Sequence, residues 1–282
     1  MSEEALTAVS FVKMQGCGND FAIFDGRPRP LAFSPERVRR LADRRRGIGF
    51  DQLILLSAHP QAAAFLRFFN ADGSESGTCG NGTRCVARLL ADDSGQRQFV
   101  LATAAGLIHC RVHAAERIEV ELPPPRLDWQ EIPLARPLDT LAVDLGVPGL
   151  PPAVAVSMGN PHAVVFVEDP DRLDVVGLGA MLEGHPLFPE RANIGFAGVL
   201  APEKLRLRVF ERGSGLTPAC GSGACAALVA AVRRGIVRER ATLILDGGEL
   251  EVIWPGQGPV RMIGPAAYCY RGVLSPAHPE DL

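Results

Sequence analysis

Two cysteines of this chain stand in nearly the same surroundings. Cys79 opens Cys79-Gly80-Asn81-Gly82 and Cys220 opens Cys220-Gly221-Ser222-Gly223. Nine residues earlier, a polar residue closes an apolar run in each case: Asn70 after Leu66-Arg67-Phe68-Phe69, and Glu211 after Leu207-Arg208-Val209-Phe210. Glycines beside a sulfur let backbone N–H groups converge on a small anion, and a helix starting there adds roughly half a positive charge. A free thiol titrates near ~8.5 but falls to ~3.5–7.5 in such surroundings. Paired thiols suit one reaction above others. To invert a carbon that bears hydrogen, a base removes the proton from one face while an acid delivers another to the opposite face, and two like groups can exchange roles when the reaction reverses. The same helix N-termini could hold a substrate carboxylate and stabilise a carbanion-like transition state, each preorganised donor being worth ~10²–10³ in rate. No electron-sink cofactor is then needed, and no lysine here has the setting expected for pyridoxal phosphate.

The elements that must position these residues are themselves duplicated. A shift of 141 residues, the distance from Cys79 to Cys220, also carries Gly18-Asn19 onto Gly159-Asn160. A period this long means a doubled domain, since solenoid units are far shorter. Around each cysteine the order is a β-rich run, a glycine-laden loop and a helical pattern: residues 64–69, 71–78 and 83–90, then 205–210, 212–219 and 224–233. The second helix is apolar nearly all round, which predicts that sheet sheathes it. Residues 118–122 and 243–245 read as further strands. The expected fold is α+β, with two similar pseudo-symmetric lobes, each a mixed sheet wrapped around a central helix, and the active site in the cleft between them. The N-terminal lobe is expected over 1–122 with about 266–282, a proline-rich linker over 123–137 and the C-terminal lobe over 138–265. The polar tail from Ser275 is expected to be loose.

Composition narrows the function. The chain has 282 residues, 47% hydrophobic and 22% charged, with a formal charge of -3. Nothing in that balance attracts nucleic acid or an anionic membrane, so small-molecule chemistry is the expectation. Glu3 and Glu4 stand where a signal peptide carries basic residues, and no apolar run approaches the ~20 residues of a membrane span. A cytoplasmic protein is expected. Seven cysteines without a regular framework fit buried or catalytic thiols in a reducing compartment rather than disulfides.

The sequence resembles the diaminopimelate epimerases, which interconvert LL- and meso-diaminopimelate in lysine and peptidoglycan precursor synthesis. The resemblance rests on Gly18-Asn19-Asp20-Phe21, Asn70-Ala71-Asp72-Gly73-Ser74, Cys79-Gly80-Asn81-Gly82-Thr83-Arg84-Cys85, Met158-Gly159-Asn160-Pro161-His162-Ala163, Asn193-Ile194-Gly195, Glu211-Arg212-Gly213 and Ala219-Cys220-Gly221-Ser222-Gly223-Ala224-Cys225. It implies that Cys79 and Cys220 are the acid/base thiols and that His162 and Glu211 assist them. It implies substrate contacts at Asn19, Gln52, Asn70, Gly80 and Asn81 in the first half. In the second half they fall at Asn160, Asn193, Glu211, Arg212, Gly221 and Ser222, and the planar fork of Arg212 suits a distal carboxylate. It further implies a homodimer with Tyr270 at the contact, no cofactor and no metal. Gln15-Gly16-Cys17 stands where histidine, glycine and leucine are common, Pro218 is unusual two residues before Cys220, and Ser222 stands where threonine is frequent.

Plainer readings compete. Cys85 and Cys225 fall inside helices and read as core, and Cys17, Cys110 and Cys269 read as structural. The spacings Cys79 to Cys85 and Cys220 to Cys225 are not those of a zinc site. The glycine loops lack the lysine of a phosphate-binding loop. Asn81-Gly82-Thr83 fits a glycosylation sequon, but without a secretory signal it is read as accidental. Arg44-Arg45-Arg46, flanked by Asp43 and Asp51, reads as a solvated face or a structural network. Two alternative functions remain: a related two-cysteine racemase of the proline, hydroxyproline or histidine type, and a non-catalytic metabolite-binding relative. Arg212 would be wasted on a substrate with no distal carboxylate, and a binding relative is expected to lack one thiol.

Overall fold

Period-two alternation of buried and exposed residues marks several strands, as in Gly106–Ala114, where Ile108, Cys110 and Val112 turn inward. The computed structural model describes residues 8–274 and divides into two units. The expectations for the acidic N-terminus and the tail from Ser275 lie outside the described residues.

The first unit runs to Ile118 and resumes at Pro265. Its elements are β1 (Val9–Gly16), β2 (Asn19–Asp25), α1 (Pro35–Ala42), β3 (Gln52–His59), β4 (Ala62–Asn70), β5 (Glu75–Ser76), α2 (Gly80–Ser94), β6 (Gln98–Thr103), β7 (Gly106–Ala114) and the start of β8 (Arg117–Leu122). The second unit, Glu119–Gly264, holds β9 (Val154–Ser157), β10 (Pro161–Phe166), α3 (Val175–Glu183), β11 (Asn193–Ala201), β12 (Lys204–Glu211), β13 (Gly215–Leu216), α4 (Gly221–Arg233), β14 (Arg240–Leu245), β15 (Gly248–Ile253) and β16 (Val260–Gly264). The chain then returns to the first unit as β17 (Ala267–Leu274), antiparallel to β1.

The repeat persists in the strand register. β2 and β3 run parallel with Phe21 opposite Gln52, and β10 and β11 run parallel with His162 opposite Asn193, each residue 141 positions from its counterpart. Leu53 faces Phe69 and Ile194 faces Phe210 in the antiparallel pairs that follow. Short hairpins then pair Phe69 with Glu75 and Phe210 with Leu216. Beyond each helix, β4 pairs with β6 and β12 with β14, in parallel. The protein is therefore α+β with two repeated lobes.

Each central helix is held by its sheet. α4 is buried from Gly221 through Ala231 apart from Ser222, and packs against β9, β10, β11, β14 and β15, which is why its surface can be alanine and valine nearly all round. α2 packs on β1, β2, β6 and β7. At its first turn a β-carbon on Gly82 would stand 2.7 Å from Ile54 Cδ1, so glycine brings helix and sheet into contact there. Helix boundaries fall three residues earlier than the helical patterns suggested, because Gly80-Asn81-Gly82 and Gly221-Ser222-Gly223 form the first turns.

The proline-rich stretch 123–137, expected as a linker, is instead built into the second unit. Ile132 and Leu134 enter a core with Val143, Val165, Phe188, Ile194 and Phe210, and Arg126 pairs with Ser157 in an isolated bridge. Proline stops regular structure but does not keep its apolar neighbours out of a core.

One packing contact yields a stability test. A β-carbon on Gly179, in α3, would lie 2.3 Å from Phe210 Cγ, whereas one on Gly184 would meet nothing within 4 Å. Chemical denaturation should show Gly179→Ala destabilised by about 1–3 kcal/mol or more, as for an overpacked core. Gly184→Ala should be neutral or stabilised by up to about 1 kcal/mol; equal effects from the two would refute this packing account.

Candidate active site

Both central helices begin on a sulfur. Cys79 is the N-cap of α2 and Cys220 that of α4, each with extended backbone, and each side chain accepts the N–H of the third helical residue: Gly82 N to Cys79 Sγ at 3.4 Å and Gly223 N to Cys220 Sγ at 3.3 Å. Serine, threonine, aspartate or asparagine usually holds this position. A cysteine there spends the capping contact on a reactive atom.

In the first unit the expected site residues form two hydrogen-bonded groups, one of which includes Cys79. Asn19, at the start of β2, brings Oδ1 to 4.0 Å from Cys79 Sγ and accepts from Asn81 Nδ2 at 3.3 Å. Gln52 and Asn70 face one another across β3 and β4, with Gln52 Nε2 donating to Asn70 Oδ1 at 2.8 Å. Asn70 donates in turn to Ser74 Oγ at 3.0 Å. Gln52 Oε1 is buried and has no hydrogen-bond partner among the described residues, a cost of about 1–3 kcal/mol unless a ligand donor meets it. Cys79 itself is half-buried. The sequon at Asn81 is closed to modification, since Asn81 and Thr83 are buried in α2.

The second unit surrounds Cys220 differently. Asn193 is buried at the start of β11, accepts from the backbone N–H of Arg212 at 3.0 Å and donates to the Pro161 carbonyl at 2.9 Å. His162 lies within 3.1 Å of Asn160 Oδ1 through Nε2. Burial, with a smaller contribution from the charge of Arg212, pushes its pKa down to about 3, so the ring is neutral at ordinary pH. Arg212 is exposed, with NH1 donating to the Glu190 carbonyl at 2.8 Å. Glu211 accepts a hydrogen bond from Thr217 Oγ1.

The helix N-terminus does not decide the state of Cys220, contrary to the sequence argument for a depressed pKa. Burial raises its pKa most, and the Glu211 carboxylate raises it further by its charge and by accepting from the thiol; the Ser222 hydroxyl, 3.6 Å away, and the Gly223 N–H pull the other way and lose. Desolvation of a thiolate and a neighbouring carboxylate both favour the protonated sulfur here. Among the cysteines read as structural, Cys85 and Cys110 are buried and pushed up, Cys110 to about 12. Cys17 is buried too, at a positive φ of 54° in the turn between β1 and β2. Tyr270 lies on β17, half exposed, with its hydroxyl donating to the Ile48 carbonyl at 3.1 Å.

Residues to which the motifs gave no role border Asn19 and Arg212. Asp51 accepts from Asn19 Nδ2 at 2.9 Å and pairs with Arg44 at 2.7 Å. Arg44 also pairs with Asp20 at 2.8 Å, and Lys13 forms a further ion pair with Asp20. Burial works against ionisation of Asp20, but the hydrogen bonds from Arg44 and Lys13 win and hold its carboxyl down at about 2. In the second unit Glu183 accepts from Arg191 at 2.5 Å and from the Gly213 N–H at 2.6 Å, fixing the turn that carries Arg212. The trace of the Arg44 network in the sequence is a run of three arginines bracketed by Asp43 and Asp51.

Comparison with known proteins identifies the family. The diaminopimelate epimerase family model matches residues 11–127 and 154–269. The chain belongs to the diaminopimelate epimerase family. It is 52% identical to the diaminopimelate epimerase of Rhodospirillum centenum over 94% of this chain and 92% of that one. It is 51% identical to the diaminopimelate epimerase of Acidiphilium cryptum over 95% and 96%. Solved structures share the fold at low identity. A hydroxyproline epimerase from Agrobacterium vitis with trans-4-hydroxy-L-proline bound superposes with a TM-score of 0.70 at 15% identity, over 100% of this chain and 96% of that one. A PhzF-family phenazine biosynthesis protein of Bacillus anthracis superposes at 0.68 and 15%, over 95% and 99%. The chain is thus an epimerase, an enzyme of the isomerase class that acts on a small molecule. Among the described residues no helix is long and apolar enough to cross a membrane.

The charge beside Cys220 gives a direct test. In Glu211→Gln the thiol loses its anionic neighbour, while the amide oxygen can still accept its hydrogen bond. The pH midpoint for alkylation of Cys220 by iodoacetamide, followed by mass spectrometry, should move down by about one unit or more. An unchanged midpoint would remove Glu211 from the account of this thiol.

Proposed function

We propose that the enzyme interconverts LL- and meso-diaminopimelate by cofactor-independent proton transfer between two thiols at one α-carbon. The observation that carries this reading is the paired capping geometry, a sulfur at the head of each of two repeated helices. One sulfur, as thiolate, takes the α-proton. The other, as thiol, gives its proton to the opposite face, after which the two have exchanged states. The reverse reaction starts from the exchanged pair.

Each half supplies a different aid. Burial and the adjacent Glu211 favour protonated Cys220, and Glu211 is placed to accept the proton when Cys220 must act as a base. Neutral His162, hydrogen-bonded to Asn160, supports this half without bringing a second charge. The first-turn N–H groups at Gly80, Gly221 and Ser222 belong to the part of a helix that its own ladder leaves without carbonyl partners. They suit the substrate carboxylate, whose negative charge grows as the α-proton leaves. Asn19, Asn70 and Asn193 offer further hydrogen bonds, and Gln52 Oε1 offers a buried acceptor to an ammonium group. Arg212, on a turn fixed by Glu183 and Asn193, suits the distal carboxylate that separates diaminopimelate from proline-type substrates. We also propose that the enzyme works in the cytoplasm as a homodimer with Tyr270 at the contact.

Turnover of LL-diaminopimelate in D₂O should place deuterium at the inverted α-carbon of the meso product. Cys79→Ala and Cys220→Ala should each lower kcat by on the order of 10³-fold or more while circular dichroism stays native, as loss of an essential acid or base requires. A deuterium-free product, or substantial turnover in either variant, would defeat the two-thiol mechanism.

A further inference from the structure

The carboxamide of Asn19 can present either its oxygen or its NH₂ to Cys79, and the two choices have opposite effects on the sulfur. An oxygen accepts from the thiol and favours the protonated form; an NH₂ donates to the thiolate and favours the charged form. Asp51 makes the choice. A carboxylate is an acceptor only, so its Oδ2, 2.9 Å from the amide, must meet Asn19 Nδ2, and Asn19 Oδ1 is left facing Cys79 Sγ at 4.0 Å and Asn81 Nδ2 at 3.3 Å.

Asp51 is itself firmly held. Its Oδ2 also takes the Asp20 N–H at 3.1 Å, its own N–H donates to the Asp20 carbonyl at 3.0 Å and to Asp20 Oδ1 at 2.9 Å, and Arg44 spans both carboxylates. The second lobe has no such device. The position 141 residues after Asp51 is Ala192, and the counterpart of Asn19, Asn160, meets His162 instead.

We infer that Asp51 is a positioning residue of the reaction: acting through the carboxamide of Asn19, it holds an acceptor oxygen against Cys79 and biases that thiol toward its proton-delivering form. The inference rests on the two-thiol reading. It goes further in giving the first lobe its own control over protonation, by a fixed amide where the second lobe uses a carboxylate.

The test is a double-mutant cycle with LL-diaminopimelate, read as kcat and KM, together with the pH midpoint for alkylation of Cys79 by iodoacetamide. Asp51→Ala should lower kcat about 10- to 100-fold and move the Cys79 midpoint to lower pH, because the freed amide can turn its NH₂ to the sulfur. Asp51→Asn keeps an oxygen toward Asn19 Nδ2, because the Asp20 N–H at the same atom also demands an acceptor, and should stay within about threefold of the parent enzyme. In an Asn19→Ala background Asp51→Ala should add less than a further twofold, since two residues acting through one contact are not additive. An Asp51→Ala loss that repeats in full in that background, or an Asp51→Ala enzyme with parental kcat and midpoint, would overturn the inference. Should Asp51→Ala fail to fold, Asp51→Asn decides: a folded Asp51→Asn enzyme with kcat down more than tenfold would also overturn it. Cys79→Ala, assayed alongside, keeps the two ideas apart. If it remains active the two-thiol reading itself has failed, whereas an inactive Cys79→Ala beside an unaffected Asp51→Ala sinks only the role of Asp51.

Discussion

A sulfur atom that caps a buried helix is the constraint on which the rest of the molecule depends. The first hydrogen bonds of α2 and α4 run to Cys79 and Cys220, so each thiol is held by the backbone of a helix whose first turns are packed against sheet. That packing asks for glycine at the first turn. Gly82 lies against Ile54, Phe68 and Phe21, and a β-carbon on Gly223 would come within 2.9 Å of Val209 Cγ2. The Cys-Gly-x-Gly pattern is therefore a packing requirement as much as a chemical one. Any larger residue at the second glycine would lift the helix off the sheet and carry the sulfur with it.

Within that shared frame the two lobes part company at the sulfur. Cys79, half-buried, faces a neutral amide, whereas Cys220, buried, faces a carboxylate. The counterpart of Asn70 is Glu211, and the counterpart of buried Phe21 is His162. The repeat thus conserves backbone register while exchanging the side chains that set proton affinity. Symmetric scaffolding and asymmetric electrostatics are compatible because strand pairing is a property of the backbone, whereas proton affinity depends on the few groups within hydrogen-bonding reach.

Much of this could be read from residue order. The doubled Cys-Gly-x-Gly pattern, its fixed distance from Asn70 and Glu211, and the apolar circumference of the second helix led to the repeated α+β lobes. What escaped was whatever depends on the third dimension. The prolines of 123–137 suggested a connector, but Ile132 and Leu134 have the burial of core residues. The expected low pKa of Cys220 failed because a local rule about helix ends says nothing of the desolvation and the carboxylate that the fold adds. Asp51 read as part of a solvated face or a structural network beside three arginines, and its tie to Asn19 had no mark in the sequence. Its meaning appears only when Asn19, 32 residues away in sequence, is seen to share its oxygen. α1 and α3 are short, and their N-caps Ser34 and Asp174 become legible only once the neighbouring strands are known.

The parallel pairing of β2 with β3 and of β10 with β11 has a wider consequence. In both lobes the polar residues stand at strand ends, Asn19 and Gln52 in one and His162 and Asn193 in the other, while the strand interiors are Ile54, Leu55, Val164 and Phe196. Cohesion thus resides in the middle of each sheet and reactivity at its margin, so the margin can be rewritten by mutation while the middle keeps the polypeptide folded. Such a division makes the scaffold a permissive substrate for evolutionary diversification, in which new catalysts arise by exchanging a handful of rim side chains on an inherited chassis.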